Sequence, residues 1–245
     1  MKKTTAVLFV LSLFVCTTAC AHNDSFLTDD EIPTAAEFMP LPPKPTDPTF
    51  KNDKIRYEWG KSLRKTKRGK QAVKDADYSL KYFFNIYSEP FGMTISKEKT
   101  PEIAALLKRV FETAGACSHK SKSRIMRARP FVQFNEPTAV PKDEEILRNN
   151  SSYPSGHTTK GWALALVLAE INPARQNEIL KRGYEYGESR VIVGFHFQSD
   201  VDAARVITST LINRLHANDA FMQQLKKAKE EFRKLNTEQK VPEAA

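Results

Sequence analysis

The sequence has few cysteines. Only Cys16, Cys20 and Cys117 occur among 245 residues, and the first two lie within or beside an apolar N-terminal segment. If that segment is removed during export, Cys117 is the only unmodified thiol left in the mature chain, and one thiol cannot close an internal disulfide. A disulfide-stapled scaffold is therefore excluded, and the hydrophobic core must stabilise the fold.

Long apolar runs and strand-like patterns are also missing. Beyond residue 21 no apolar run reaches the ~18 residues of a membrane-spanning helix, so the sequence argues against a membrane-embedded enzyme. The nine glycines, few hairpin dipeptides and near absence of alternation disfavour a β-rich fold. Apolar residues instead recur three and four apart, as in "IAALLKRVFETAGA". This spacing predicts a single all-α domain.

No basic stripe interrupts the chain. The formal charge is +9, or +7 once Lys2 and Lys3 are lost, and basic residues are mixed with acids, as in "KKAKEEFRK". A nucleic-acid partner is therefore not expected. A scattered surplus of cations favours the attraction of small anionic substrates.

Residues 1–21 have the form of a secretory signal peptide. A basic "MKK" precedes the apolar "AVLFVLSLFV", and Ala19-Cys20-Ala21 offers a cleavage site. These features predict export to the periplasm. In the alternative, Cys20 is lipidated and anchors the protein to the outer membrane, because "TTAC" resembles a bacterial lipoprotein box. Thr17 weakens that match, since leucine is usual at its position.

The remaining chain divides into three parts. Residues 22–50 form a proline-rich arm, in which 33–48 hold six prolines and are predicted to be neither helix nor central strand. Residues 51–237 form the helical domain, and 238–245 a polar tail. Within the domain, "TTKGWALALVLAEI" is apolar almost all round, which predicts a buried central helix.

The stretch "SRVIVGFHFQSD" carries Arg190, His196 and Asp200 in an otherwise largely apolar run. On one helix, His196 and Asp200 would share a face, because they are four residues apart. Asp200 would then accept a hydrogen bond from one ring nitrogen of His196 and leave the other free to react. The alternative is a structural histidine near a helix end, with Arg190 and Asp200 on the solvated face.

Two further stretches carry unexplained polar groups. In "KSRIMRARP", Lys122 precedes Arg129 by seven residues, two helical turns, which predicts that both point to the same side. In "SSYPSGHTTKGW", Ser155, Gly156 and His157 lead into the predicted central helix, whose N-terminal N–H groups suit an anion. The alternative for this stretch is a plain helix cap at Ser155, with His157 incidental.

Together the three stretches predict phosphoryl transfer. Lys122, Arg129 and Arg190 supply positive charges and donors for phosphoryl oxygens, and Ser155 and the N–H of Gly156 add to them. Three fixed cations can take the part of a divalent metal, so neither a metal nor another cofactor is expected. Inorganic phosphate and vanadate should both occupy this site and inhibit.

The order Lys-x6-Arg-Pro, Pro-Ser-Gly-His and Ser-Arg-x5-His-x3-Asp resembles the signature of the type 2 phosphatidic acid phosphatase and vanadium haloperoxidase superfamily. From about residue 40 to about 237 the chain is similar to bacterial class A non-specific acid phosphatases, with "RYEWGKSLR", "RARPF" and "GWALALVLAEINP" adding to the match. Two positions depart from that pattern: Ser151 stands where glycine is usual, and Ile125-Met126 replace an aromatic-containing stretch.

The resemblance implies an all-helical fold and metal-free hydrolysis of many phosphate monoesters in the periplasm, by a protein that often forms homodimers. It implies that His196 is the nucleophile, Asp200 its partner and His157 the acid for the leaving group. It assigns phosphate binding to Lys122, Arg129, Ser155, Gly156 and Arg190. Two alternatives remain: a vanadate-dependent haloperoxidase-like enzyme, and an apyrase-like enzyme that hydrolyses nucleoside di- and triphosphates.

Overall fold

The computed structural model describes residues 24–238, so the predicted signal peptide and nearly all of the predicted tail lie outside the described residues. Within this range the chain is helical and contains no strand, which confirms the all-α prediction. The helices are α1 (Ala35–Phe38), α2 (Phe50–Leu63), α3 (Lys67–Lys74), α4 (Leu80–Phe91), α5 (Pro101–Arg124), α6 (Pro130–Gln133), α7 (Glu144–Arg148), α8 (Gly156–Ile171), α9 (Gln176–Val193), α10 (Gln198–His216) and α11 (Asp219–Glu238). Short 3-10 turns occupy Pro141–Asp143 and Pro173–Arg175.

Helix α8 is the central helix. It packs against α5, α9 and α10, and Ala163, Leu164, Val167 and Leu168 are completely buried. A fully buried aliphatic side chain of this size stabilises a fold by about 1.5–3 kcal/mol relative to an exposed one. The predicted buried central helix is thus confirmed, and its N-terminal end lies inside the domain.

The proline-rich segment contains one helical turn. Helix α1 lies between Pro33 and Pro40, so the prediction that 33–48 exclude helix is wrong for Ala35–Phe38. The prolines flank the turn and therefore remove none of its N–H donors. The N–H of Ala35 donates to Ser121 Oγ of α5 at 3.0 Å, which ties the segment to the domain.

Two helices end inside the polar motifs. Helix α5 stops at Arg124, and the chain is extended at Ile125 and again at Arg129, the conformation that a residue before proline prefers. Helix α9 stops at Val193, where Gly194 adopts a left-handed conformation with φ 89°. The predictions that Lys122 and Arg129 share a helix, and that one helix carries His196 and Asp200, are therefore wrong.

None of the helices within residues 24–238 combines the length and the apolar character that a bilayer crossing needs.

The left-handed glycines give a stability prediction. Gly194 ends α9 and Gly92, with φ 81°, ends α4. Replacing either with alanine should lower the free energy of unfolding by about 1–2 kcal/mol, because an L-residue is strained in this conformation. The new Cβ would also lie 2.4 Å from Arg64 Nη2 in G194A and 2.8 Å from Arg175 Cδ in G92A.

Urea unfolding followed by circular dichroism measures both changes, with G92A as the matched variant away from the polar motifs. A G194A protein as stable as the unmodified one would contradict the requirement for glycine at this helix end.

Candidate active site

The three polar motifs meet at one cavity of about 450 Å³. Six of the predicted site residues line it: Lys122, Arg129, Gly156, His157, Arg190 and His196. The other two, Ser155 and Asp200, are completely buried. They are joined by a hydrogen bond of 3.0 Å from the N–H of Ser155 to the carbonyl oxygen of Asp200. The structure thus brings all the predicted residues into one region, although helical spacing does not place them there.

Arg190 lies in the last turn of α9 and is almost completely buried. Its Nη1 donates to the carbonyl oxygen of Asp75 at 3.1 Å, whereas its Nε has no hydrogen-bond partner. Burial lowers the pKa of this guanidinium. A buried donor without an acceptor costs free energy, and a bound anion would supply the missing acceptor.

Arg129 joins two loops. Its Nε donates to the carbonyl oxygens of Leu147 and Asn150, each at 3.1 Å, and its Nη1 donates to the carbonyl oxygen of Phe195 at 3.0 Å. Burial, followed by the charge of Arg190, lowers its pKa to about 10. The guanidinium therefore remains charged at neutral pH while main-chain carbonyls fix its position.

Lys122 reaches the cavity from the last turn of α5. Its Nζ donates to the carbonyl oxygen of Ser151. Burial and the neighbouring Arg129 lower its pKa, and the carboxylate of Asp200 opposes them. Three cationic side chains therefore converge on one cavity. Within residues 24–238, no cluster of three or more His, Cys, Asp or Glu side chains is arranged to hold a metal ion.

The surroundings of His196 define its tautomer. Its Nε2 lies 3.2 Å from Arg129 Nη1, and a guanidinium can only donate. Nε2 is therefore the unprotonated nitrogen, which accepts from Arg129, and Nδ1 carries the hydrogen. Nδ1 lies 3.3 Å from Ser152 Oγ and 3.5 Å from Asp200 Oδ2. Ser152 Oγ in turn donates to the same Oδ2 at 2.5 Å.

Asp200 is held by groups from three parts of the chain. Besides Ser152, its Oδ2 accepts the N–H of Phe197 at 2.8 Å, at the start of α10. Its Oδ1 accepts from Arg127 Nη1 at 2.5 Å. The other end of that guanidinium, Nη2, donates to Asp53 Oδ2 of α2 at 2.7 Å. All three charged side chains are buried, so each depends on the others for compensation.

Ser152 and Arg127 were not predicted. Both lie inside motifs that the sequence singles out, "SSYPSGH" and "RARP", yet their spacing indicates nothing about contact with Asp200. Their positions follow from the packing of α2 and α10 against the loops after α5. Only a tertiary contact therefore identifies them.

His157 occupies the first turn of α8 and is enclosed by aromatic rings. Its ring centroid lies 4.3 Å from that of Tyr78 and 6.1 Å from that of Tyr186. Its Nε2 lies 3.2 Å from the carbonyl oxygen of Ala76, which can only accept, so Nε2 carries a hydrogen and Nδ1 is free to exchange a proton.

Ser155 caps α8, which is the alternative that the sequence left open for this stretch. Its Oγ accepts the N–H of Thr158 at 3.4 Å. Gly156 follows at the first helical position, and a Cβ there would lie 3.2 Å from Ser118 Oγ and 3.5 Å from Tyr78 Oη. Glycine thus keeps the helix start close to the cavity wall, where its N–H groups are accessible to an anion.

Both imidazoles are held neutral. Burial, then the charges of Arg129 and Lys122, lower the pKa of His196 well below 6.5. Burial, then Arg190, do the same to the pKa of His157. The site therefore combines the guanidinium groups of Arg129 and Arg190 and the amino group of Lys122 with two uncharged imidazoles.

These shifts predict the behaviour of both histidines in solution. Imidazole nitrogen NMR should show each ring titrating well below pH 6.5 in the empty protein. Saturating inorganic phosphate should move both midpoints upward, because the anion stabilises the imidazolium form. His196→Ala and His157→Asn assign the two signals. Midpoints that stay unchanged with phosphate bound would contradict an anion beside the rings.

Comparisons with known proteins agree with this geometry. Residues 106–220 match the model of the PAP2 superfamily. The non-specific acid phosphatase of Providencia stuartii is 46% identical over 96% of this chain and 99% of its own length. The non-specific acid phosphatase of Salmonella typhimurium is 40% identical over 96% of this chain and 94% of its own. The acid phosphatase of Zymomonas mobilis is 34% identical over 84% of this chain and 78% of its own length. The chain therefore belongs to the PAP2 superfamily and, within it, to the class A non-specific acid phosphatases.

Proposed function

We propose that this acid phosphatase hydrolyses a broad range of phosphate monoesters through a phosphohistidine on Nε2 of His196, without a metal ion. The observation that carries the proposal is the 3.2 Å distance between Arg129 Nη1 and Nε2 of His196, from which the tautomer follows. Its unprotonated Nε2 lines a cavity with three cations, and its protonated Nδ1 is directed to Ser152 and Asp200.

The first half-reaction forms the phosphoenzyme. Nε2 attacks phosphorus, the P–N bond forms, and the bond from phosphorus to the ester oxygen breaks. His157 gives a proton to that departing oxygen, which leaves as an alcohol. The phosphorylated ring of His196 is positively charged, and the buried carboxylate of Asp200, with Ser152 between them, stabilises that charge.

In the second half-reaction a water molecule attacks the phosphoenzyme. His157, now neutral, accepts a proton from the water, the P–N bond breaks, and inorganic phosphate and free His196 are released. The same imidazole thus acts first as acid and then as base.

The phosphoryl oxygens are bound by fixed donors. Lys122, Arg129 and Arg190 offset their charge, and the Nε–H of Arg190 gains an acceptor. The N–H of Gly156 and the hydroxyl of Ser155 donate at the start of α8. Such positioning and charge stabilisation supply most of the catalysis in phosphoryl transfer, so the mechanism needs no metal. Phosphate and vanadate should compete for the same donors.

Location and assembly follow from the sequence and the family resemblance. We propose export to the periplasm after removal of residues 1–21 and assembly as a homodimer. Lipidation at Cys20 is the alternative that would place the enzyme on the outer membrane. Mass spectrometry of the mature N-terminus separates these two outcomes.

The rate of hydrolysis should peak below about pH 6.5 and fall as the pH rises. His157 must be protonated to act as acid, and burial and the charge of Arg190 lower its pKa. A bound phosphate ester raises that pKa, yet the protonated form is still populated only in acidic medium. A kcat profile with an alkyl phosphate, whose leaving oxygen needs the proton, measures this, and excess chelator should leave the profile unchanged. An optimum above about pH 8, or a rate that needs added metal, would contradict the mechanism.

Replacing the two histidines separately should distinguish their roles. His196→Ala removes the nucleophile, so no ester should yield phosphoenzyme or product. His157→Asn removes the acid, so an alkyl phosphate should lose about 10²-fold or more in kcat. p-Nitrophenyl phosphate needs little protonation of its leaving group and should still phosphorylate His196, and the phosphohistidine should accumulate because the base for water is missing.

Rapid quenching and phosphohistidine detection follow the trapped species. Equal losses on alkyl and aryl esters in His157→Asn, with no trapped phosphoenzyme, would contradict the acid role of His157.

A further inference from the structure

A second cavity adjoins the catalytic one. It measures about 530 Å³ and shares Tyr78, Gly115 and His119 with the catalytic cavity. Its remaining wall comes from α5, from the N-terminal segment and from Lys160 of α8. Nothing in the proposed mechanism uses Lys160 or this outer space.

Lys160 is an unusual cation. It lies three residues after His157 on α8, is only 7% exposed, and makes no ion pair or hydrogen bond with any residue in the range 24–238. Its Nζ instead lies 3.5 Å from the ring centroid of Phe111 and 4.2 Å from that of Tyr78. Such contacts offset only part of the cost of burying an ammonium group.

The space for this side chain comes from a glycine. A Cβ on Gly115 of α5 would lie 2.7 Å from Cε and 3.1 Å from Nζ of Lys160. The ammonium group therefore lies against the backbone of α5, at the wall that both cavities share.

Asp29, Glu112 and Lys120 also line the outer cavity, and within residues 24–238 none of them forms an ion pair or a hydrogen bond with Lys160. Lys120 donates its Nζ to the carbonyl oxygens of Asp29 and Ile32, at 2.5 and 2.9 Å. Glu112 also lines the cavity and raises the pKa of Lys160, but burial has the larger effect and lowers that pKa to about 8. Lys160 is therefore charged in the acidic range where the enzyme should work.

Tyr78 connects this cation to the reacting groups. One of its contacts is the imidazole of His157, with ring centroids 4.3 Å apart, and another is the ammonium group of Lys160. In the proposed mechanism His157 protonates the leaving oxygen, so the leaving alcohol starts beside this imidazole. Tyr78, which contacts the imidazole, lines both the catalytic and the outer cavity.

We propose that Lys160 binds a second anionic group, a phosphoryl or carboxylate group, carried on the leaving alcohol of the substrate. The enzyme then prefers esters with two separated anionic groups over matched esters with one. This inference rests on the proposed function, because it places the leaving group by the role of His157.

Two matched substrate pairs test the proposal. Fructose 1,6-bisphosphate is compared with fructose 6-phosphate, and 3-phosphoglycerate with glycerol 3-phosphate. The measured quantity is the ratio of kcat/KM within each pair. Lys160→Met should lower the ratio about tenfold or more, mainly through KM, because a charged hydrogen bond to the second anion is lost. Lys160→Arg should restore part of it.

Lys120→Met is the matched control, because it removes one positive charge from the same cavity where the ammonium group already has two acceptors. It should leave both ratios unchanged. An effect on only one pair still supports the proposal and identifies the second anion as phosphoryl or carboxylate. The proposal would be overturned if Lys160→Met and Lys120→Met lowered the kcat/KM ratios equally. It would also be overturned if Lys160→Met lowered kcat/KM equally for all four esters.

The unmodified enzyme gives an independent measurement if Lys160→Met fails to fold. In at least one pair, the ester with two separated anionic groups should have the lower KM. Added salt should reduce the difference in KM between the two esters of that pair. If the unmodified enzyme hydrolyses p-nitrophenyl phosphate but shows no such preference in either pair, the inference fails and the phosphatase function stands. If it hydrolyses no phosphate ester, the proposed function itself fails.

Discussion

The buried carboxylate of Asp200 is the group on which the catalytic arrangement depends. Arg127, Ser152 and the N–H of Phe197 satisfy its two oxygens, and its main-chain carbonyl accepts the N–H of Ser155 at the start of α8. A buried charge is tolerated only when its partners are in place. Burial of Asp200 therefore requires that α8, α10 and the loop before α8 pack together around His196.

The cations of the cavity are positioned without being neutralised. Lys122, Arg129 and Arg190 each donate to main-chain carbonyl oxygens. A carbonyl dipole orients a cationic side chain but leaves its net charge available to a ligand, whereas a carboxylate would cancel it. Arg127 shows the opposite arrangement, because two carboxylates pair with its guanidinium. The same residue type thus lines the cavity in one place and supports the carboxylate beside His196 in the other.

The two departures from the class A pattern lie in contact with each other. Ser151 Oγ donates to the carbonyl oxygen of Ile125 at 2.6 Å and accepts the N–H of Arg127 at 3.2 Å. A glycine at 151 would lack both hydrogen bonds. In this chain the serine therefore fixes the extended segment after α5, and with it the backbone that carries Arg127 towards Asp200.

The residue types and their order determined the helical class and the buried central helix, because apolar periodicity is a local property. They also singled out the candidate phosphate-binding and reacting groups, because side-chain chemistry is local too. Only the tertiary structure decided how those groups meet. Helical spacing placed Lys122 with Arg129, and His196 with Asp200, on continuous helices. In the structure α5 ends at Arg124, before Arg129, and α10 begins at Gln198, after His196. Ser152, Arg127 and Lys160 acquire their proposed roles from contacts between segments that are distant in sequence. The free-energy cost of a charge depends on its burial and on its neighbours in the fold. Sequence spacing encodes neither of these.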